Sequence, residues 1–237
     1  MESNLISNIQ KEGRLILTEF ESKKFLKQAG IPVIKTRLAK TQSEAVALSQ
    51  KMGFPVVLKI ASPEIVHKSD SGGVRLSLSN AADVKVAFRE IIDAARKINP
   101  SASIQGVSVQ KMARPGTEVI VGTSKDPQFG PVIMFGLGGI FVEVLKDVSF
   151  RMIPLTPKDA REMIEEIKGY PALKGFRGKE PADISALIEI ILKVSKVMEK
   201  NPVIKELELN PILVYQKGAT AVDARIILEE KQGGSSC

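Results

Sequence analysis

Glu206-Leu207-Glu208-Leu209-Asn210-Pro211 alternates polar and apolar side chains, and after a short gap Val222-Asp223-Ala224-Arg225 opens another alternating run. A period of two is the mark of a strand with one buried face, so Glu206, Glu208 and Asn210 project together while Leu207 and Leu209 enter a core. A Lys217-Gly218 turn joins the two runs, predicting a hairpin of Leu207–Tyr215 with Ala221–Leu228. If the turn is tight, Asp223 falls nearly opposite Asn210, a carboxylate and a carboxamide across one ladder. Magnesium takes such a site, using one or two protein oxygens and completing its shell with water and nucleotide phosphates. The competing reading is the plain polar face of an amphipathic sheet.

Upstream, helix starts are marked by capping boxes, Thr18 with Glu21 and Thr41 with Glu44, and the helices they open end at Gly30 and Gly53. Val33–Leu38 reads as a strand between them. Pro55–Ile60 gives a continuous apolar strand interrupted by Lys59, and Val74–Leu78 alternates as a half-exposed strand. Val84, Ala87, Phe88, Ile91, Ala95 and Ile98 recur at helical spacing. Strands follow at Val107–Met112, Glu118–Val121 and Val132–Phe135 with antiparallel signals. Thr156-Pro157 and Asp183 then open two helices, separated by a linker at Lys174–Lys179. The pattern is α+β in two lobes meeting near residues 106–112, and the groove between lobes is where a ligand is expected.

Composition narrows the chemistry. The chain has 237 residues, 43% hydrophobic and 26% charged, a size and balance that suit a globular protein with a buried core. No apolar run approaches the length of a membrane span, and Met1-Glu2-Ser3-Asn4 lacks a basic region ahead of an apolar one. The lone cysteine, Cys237, excludes an internal disulfide and suits a reducing compartment, so a cytoplasmic location is expected. One histidine, His67, excludes multi-histidine zinc sites. The net charge of +7 suggests an anionic partner. With aromatics at 5% and no Trp, the stacking platforms of single-strand nucleic-acid binding are scarce, which favours a small phosphorylated ligand or an acidic subunit.

Three further features bear on such a ligand. In Ser62-Pro63-Glu64-Ile65-Val66-His67-Lys68-Ser69-Asp70-Ser71-Gly72-Gly73-Val74, an imidazole lies among a lysine, hydroxyls and a glycine pair. It is a nucleophile near neutral pH, in a setting able to hold a phosphoryl group; a surface histidine in an ordinary connector is the alternative. Gly136-Leu137-Gly138-Gly139 can turn backbone N–H groups toward phosphate oxygens, although it matches neither a Walker loop nor a Rossmann turn. Lys59, a cation inside an apolar strand, requires a partner or an anion. Lys111 at the lobe junction and Arg151 beyond the glycines are additional cations.

In this order the His67 and Glu206–Arg225 strings, with Gly136-Leu137-Gly138-Gly139-Ile140-Phe141-Val142-Glu143-Val144-Leu145-Lys146-Asp147 between them, resemble an ATP-grasp nucleotide-binding domain. More narrowly, the chain is similar to the beta subunit of NDP-forming acyl-CoA synthetases, relatives of succinyl-CoA synthetase, over roughly residues 11 to 230. The resemblance implies an ATP-grasp fold of two lobes with nucleotide in the cleft between them. It implies an N-terminal segment at 1–20, a first subdomain at 21–106 carrying the histidine loop, a second at 107–230 with nucleotide and metal, and a flexible tail at 231–237. It also implies an ADP-forming acid–thiol ligase: acyl-CoA, ADP and phosphate are interconverted with acid, CoA and ATP. His67 would be a phosphorylated histidine relaying the group to ADP.

By position in those motifs, Asn210 and Asp223 would hold Mg2+ with Glu208 beside them. Lys59 would contact phosphates, Lys111 and Met112 would frame the adenine, and Glu118 would take the ribose hydroxyls. Gly136, Gly138 and Gly139 with Arg151 would surround the terminal phosphates of ATP or ADP. No CoA site is legible, so CoA and acyl chemistry are expected on an alpha subunit that carries the first phosphohistidine, in an α2β2 assembly, with neither nucleic acid nor membrane as a partner. Two readings compete: an ATP-grasp carboxylate ligase domain with no histidine intermediate, and a regulatory or nucleic-acid-binding module that uses the basic N-terminal third.

Overall fold

The structure, a computed structural model, describes residues 2–65, 68, 70–139, 146–175 and 180–230. His67, residues 140–145 of the glycine-rich string, residues 176–179 of the linker and the 231–237 tail therefore lie outside the described residues. The chain separates into two compact units, a smaller one of residues 18–24 and 34–114 and a larger one of residues 1–17, 25–33 and 115–237.

The smaller unit is a four-stranded antiparallel sheet in the order β2 (Thr36–Ala39), β5 (Gly106–Lys111), β3 (Val56–Ala61), β4 (Val74–Leu78). Helices α3 (Gln42–Met52) and α4 (Ala81–Ile98) cover one face, where Val56, Leu58, Ile60, Val84, Ile91, Val107 and Val109 form the core. Thr41 caps α3 by accepting the Glu44 N–H at 3.2 Å, while the Glu44 carboxylate accepts from the Lys40 N–H rather than closing the expected box. Gly53 ends that helix at φ +79, a left-handed position that other residues adopt only with strain.

In the larger unit the strand order is β1 (Ile16–Leu17), β11 (Ala224–Leu228), β9 (Ile204–Val214), β6 (Thr117–Asp126), β7 (Gly130–Leu137), β8 (Val148–Met152), with β10 (Ala219–Ala221) pairing β9. One face is closed by α1 (Glu2–Lys11), the end of α2 (Glu19–Gln28), α5 (Pro157–Glu166) and α7 (Ile184–Lys200), and a short α6 (Tyr170–Leu173) packs there too. Phe25, Leu26, Met163, Ile164 and Ile191 meet Ile133, Phe135, Leu207 and Leu209 in this core. The capping boxes of α2 and α5 are both formed: Glu21 accepts from the Thr18 N–H at 2.8 Å, and Asp159 from the Thr156 N–H at 2.7 Å.

The expected division at 1–20, 21–106 and 107–230 differs from this one. β5 pairs β3 and β2, which places residues 106–114 with the first sheet. Residues 1–17 and 25–33 join the larger unit because Ile6, Ile9, Phe25 and Leu26 are buried in its core. Helix α1 and strand β8, absent from the sequence expectation, complete it. β8 contains only five residues and, among the described residues, is paired by β7 alone, so its own periodicity is a weak signal.

Candidate functional site

The hairpin at the end of the larger unit keeps one register from Ala219 to Ile227 and shifts only at Leu228, which pairs Ile204. Ala219 pairs Val214, Ala221 pairs Ile212, and Ala224 pairs Leu209, while the Tyr215 N–H closes the turn on the Gly218 carbonyl at 3.0 Å. The Val222 N–H also donates to the Pro211 carbonyl at 2.9 Å, so Asp223 stands opposite Asn210. Asn210 Nδ2 donates to Glu208 Oε1 at 3.1 Å, and Asp223 Oδ1 accepts the Ala224 N–H at 2.8 Å. Leu207 and Leu209 are buried, whereas Glu206 and Glu208 are half-buried and Asn210 is exposed, as the alternation predicts.

Register carries this face across the sheet. Glu208 pairs Arg225 on one side and Gly122 on the other, Gly122 pairs Met134, and Met134 pairs Phe150. These residues, with Ile120 and Glu206, line an open pocket of about 290 Å³. In the neighbouring row Ile120 pairs Gly136, at the β6–β9 bulge adjoining Asn210. The glycine end of β7 is built by close approach: the Gly138 N–H donates to the Glu118 carbonyl at 2.8 Å, and a Cβ on Gly138 would come within 2.9 Å of Glu118 Cβ. Gly139 has φ +61. Glu118, Gly136, Gly138, Glu208, Asn210 and Asp223 are thus grouped on the sheet face away from the helices, with Gly139 at its margin.

Arg151 is not on that face. It pairs Ile133, a core residue, and its guanidinium forms a two-pronged ion pair with Glu166 of α5 at 2.8 and 2.6 Å, which raises its pKa. The sequence missed Arg225 as a candidate. Its Nε is buried in the pocket with no hydrogen-bond partner among the described residues, opposite Glu208.

The smaller unit holds Lys59, Lys111 and Met112. Lys111 is exposed at the end of β5, and the Met112 N–H donates to the Pro55 carbonyl at 3.0 Å. Lys59 is buried on the sheet face away from α3 and α4, together with Thr36, Ser108 and Gln110. Its ammonium lies 2.9 Å from Glu19 Oε1. Glu19 also accepts from Lys23 at 2.5 Å and from Lys68 at 2.7 Å, and its side chain is only 2% exposed. Burial on its own would push that carboxyl's pKa up; the three ammonium groups override it and hold the group well below the usual carboxylate range. The i,i+4 spacing of Glu19 and Lys23, together with the requirement that Lys59 be paired, is the signal that could have found this cluster.

The donors on the larger unit's face are hard oxygens. Among the described residues no three His, Cys, Asp or Glu side chains converge as a complete metal cage. A hard oxygen pair of this kind fits Mg2+, whose remaining ligands come from water and phosphate, and disfavours a thiophilic metal.

Two sheets of this topology, a glycine-edged face bearing an Asn–Asp pair and a lysine-bearing smaller sheet define a nucleotide-binding class, and residues 8–228 match the ATP-grasp domain family. The chain belongs to that family, in the branch of the beta subunits of ADP-forming acetate–CoA ligases. It is 51% identical to the ADP-forming acetate–CoA ligase II subunit beta of Pyrococcus furiosus, over 95% of this chain and 97% of that one. Among solved structures, it superposes with a TM-score of 0.94, at 49% identity, on the acetyl-coenzyme A synthetase 1 of Ca. Korarchaeum cryptofilum in complex with coenzyme A and Ca-AMPCP; the match covers 97% of this chain and all of that one. A second form of that enzyme, with coenzyme A and Mg-AMPPCP and its phosphohistidine segment pointing towards the nucleotide-binding site, matches at a TM-score of 0.85 and 46% identity over the same shares. No helix among the described residues is long and apolar enough to cross a membrane.

Proposed function

We propose that this chain is the nucleotide-binding beta subunit of an ADP-forming acyl-CoA ligase, passing a phosphoryl group from His67 to ADP. The observation that carries the reading is the Asn210–Asp223 pair standing on the same sheet face as the Gly136–Gly139 edge, in a chain half identical to such a beta subunit. The relatives' designation as beta subunits implies a partner subunit. An alpha subunit would supply CoA and acyl chemistry and the first phosphohistidine, in an α2β2 complex in the cytoplasm.

Asn210 and Asp223 would hold Mg2+, with Glu208 hydrogen-bonded to Asn210 keeping that carboxamide oriented. Bound there, Mg2+ supplies neutralisation of phosphate charge. The Gly136–Gly139 edge, which carries no side chain at Gly136, Gly138 and Gly139, lets the terminal phosphates approach the backbone closely, the Gly138 N–H itself being engaged by the Glu118 carbonyl, and the Glu118 side chain takes the ribose hydroxyls. In the smaller unit Lys59 contributes positive charge toward phosphate, and Lys111 with Met112 frames the base. Arg151, committed to Glu166, keeps no phosphate role in this scheme. Transfer to ADP breaks the N–P bond of a phosphohistidine protonated on its other ring nitrogen and forms an O–P bond to the terminal ADP oxygen, so the imidazole departs neutral and keeps that proton. Such a step depends mainly on alignment and charge neutralisation, so no acid–base pair is needed.

The test is intact mass of the chain incubated with its alpha subunit, acetyl-CoA and phosphate without ADP, kept alkaline because phosphohistidine is acid-labile. A phosphate-sized gain that is absent in His67→Asn and discharged by Mg-ADP establishes the relay. Intact nucleotide binding with no gain leaves a carboxylate ligase domain without a histidine intermediate.

A further inference from the structure

We propose that Arg225 is a phosphate-binding residue of the larger unit: its guanidinium receives the phosphoryl group in transit, in the row of the sheet next to the Asn210–Asp223 pair. The inference rests on the nucleotide role proposed for that pair and adds the group that holds the moving phosphoryl oxygens.

Arg225 lies two residues beyond Asp223, about 7 Å at strand rise, and alternation returns its side chain to the same sheet face. Its register partner is Glu208, which pairs Gly122 on its other side, and Gly122 pairs Met134. An arginine directly across a ladder from a glutamate ordinarily closes an ion pair. Here it does not. Among the described residues the Arg225 guanidinium makes no ion pair, its Nε is buried without a hydrogen-bond partner, and Glu208 accepts from Asn210 Nδ2 at 3.1 Å instead. Gly122 keeps the shared pocket open. Its φ lies outside the left-handed region, so backbone conformation does not demand glycine there, but a Cβ would meet Met134 Cε at 3.3 Å and narrow the space.

An arginine in this condition is costly, because a buried donor without an acceptor has given up water and gained nothing. Stability alone is better served by an apolar side chain of similar volume. A guanidinium walled by Ile120, Val132 and Met134 and not engaged by its own sheet suits an incoming anion, and apolar walls strengthen the charge-assisted bonds it then makes. Phosphoryl oxygens match its planar fork. The group stays protonated throughout, so it gives hydrogen bonds and exchanges no proton. Arg225 is the one cation among the described residues that line this pocket, where Glu206 and Glu208 also stand. Along β9 the order is Glu206, Glu208, Asn210, so a phosphate at the metal pair has Glu208 and Arg225 beside it and Glu206 one step farther. Without Arg225 that row would offer the phosphate a carboxylate alone.

The experiment compares Kd for Mg-ADP and for Mg-AMPPCP, which carries a third phosphoryl group that cannot transfer, on the full chain with its alpha subunit. It also measures kcat for ATP formation from acetyl-CoA, phosphate and Mg-ADP. Arg225→Met keeps the apolar stem. It should weaken Mg-AMPPCP about 30-fold, within the range of hydrogen bonds to charged groups, weaken Mg-ADP less than about threefold, and lower kcat about 30-fold. Its melting temperature should be retained or raised, where a structural arginine would lose stability. Arg225→Lys keeps the charge without the fork and should recover part of both losses. Arg151→Gln removes the same charge on the helix side and should leave the ratio of the two affinities as in wild type. An unchanged ratio in Arg225→Met, with both nucleotides retained or both weakened alike, overturns the proposal. So does an equal change of ratio in Arg151→Gln, which would reduce the effect to net charge. Asn210→Ala separates this from the underlying reading. Wild-type Mg-ADP affinity in Asn210→Ala refutes the metal role itself, whereas weakened Mg-ADP there beside an unchanged ratio in Arg225→Met refutes Arg225 alone.

Discussion

The two units handle charge in opposite ways. On the larger unit's open face Glu206, Glu208, Asn210 and Asp223 stand on alternate strand positions, in or near water, with Asn210 exposed. In the smaller unit Glu19 is buried and engaged by three lysines. A partly hydrated carboxylate costs little to keep and is available to a metal; a buried one persists only because its partners are fixed around it. The first arrangement leaves its oxygens open to solvent, and the second locks its charges together.

Removing Glu19 should break the comparison most severely. Glu19→Ala removes the carboxylate that Lys23, Lys59 and Lys68 share, and the loss expected for breaking a buried pair is about 3–5 kcal/mol. Amide exchange should accelerate in β3 and β5 before it does in β6 and β9; equal acceleration in both sheets would mean that the cluster supports the whole chain, not one unit. Acid probes the same contact. The folded pKa of Glu19 lies below its unfolded value, so its stabilisation is complete above about pH 4.3 and is lost as pH falls toward the folded value. Glu19→Gln should flatten that part of the stability curve.

Asn210→Ala addresses the other region, where function should suffer and stability should not. ATP formation is expected to fall about 100-fold, equivalent to about 2.7 kcal/mol, and to recover partly at raised Mg2+, while stability moves by no more than about 0.5 kcal/mol. A stability loss as large as that of Glu19→Ala would erase the distinction. Gly138→Ala should cost about 1–3 kcal/mol, because its Cβ meets Glu118 at 2.9 Å. Arg151→Gln should be mildest, at about 0–1 kcal/mol and shrinking with added salt, since its partner Glu166 is 43% exposed; thermal melts at two salt concentrations check this.

Legibility followed the same division. The hairpin and its Asp223–Asn210 alignment were readable because strand alternation and turn position are local properties. The capping box of α2 was readable for the same reason, whereas the one expected at Thr41 stays half formed because Glu44 accepts from the Lys40 N–H. Arg151 was misjudged because proximity to the glycines in sequence says nothing about which sheet face a residue takes; pairing with Ile133 puts it on the helix side. Glu19 was not singled out at all. Its partners Lys59 and Lys68 are 40 and 49 positions away by number, and only the stacking of α2 on the β5–β3 face brings them together.

By itself, the sequence determined the types of most strands and helices, α1 and β8 excepted, the alignment of Asp223 with Asn210, the glycine edge and the family that these strings resemble, because each depends on spacing within a few residues. Tertiary structure decided which sheet each strand joined, that β5 belongs to the smaller unit, that Arg151 faces Glu166, and that one carboxylate gathers three lysines. Those outcomes depend on burial shared between distant segments, and the cost of an unpaired charge in a dry interior is settled only when the partners meet.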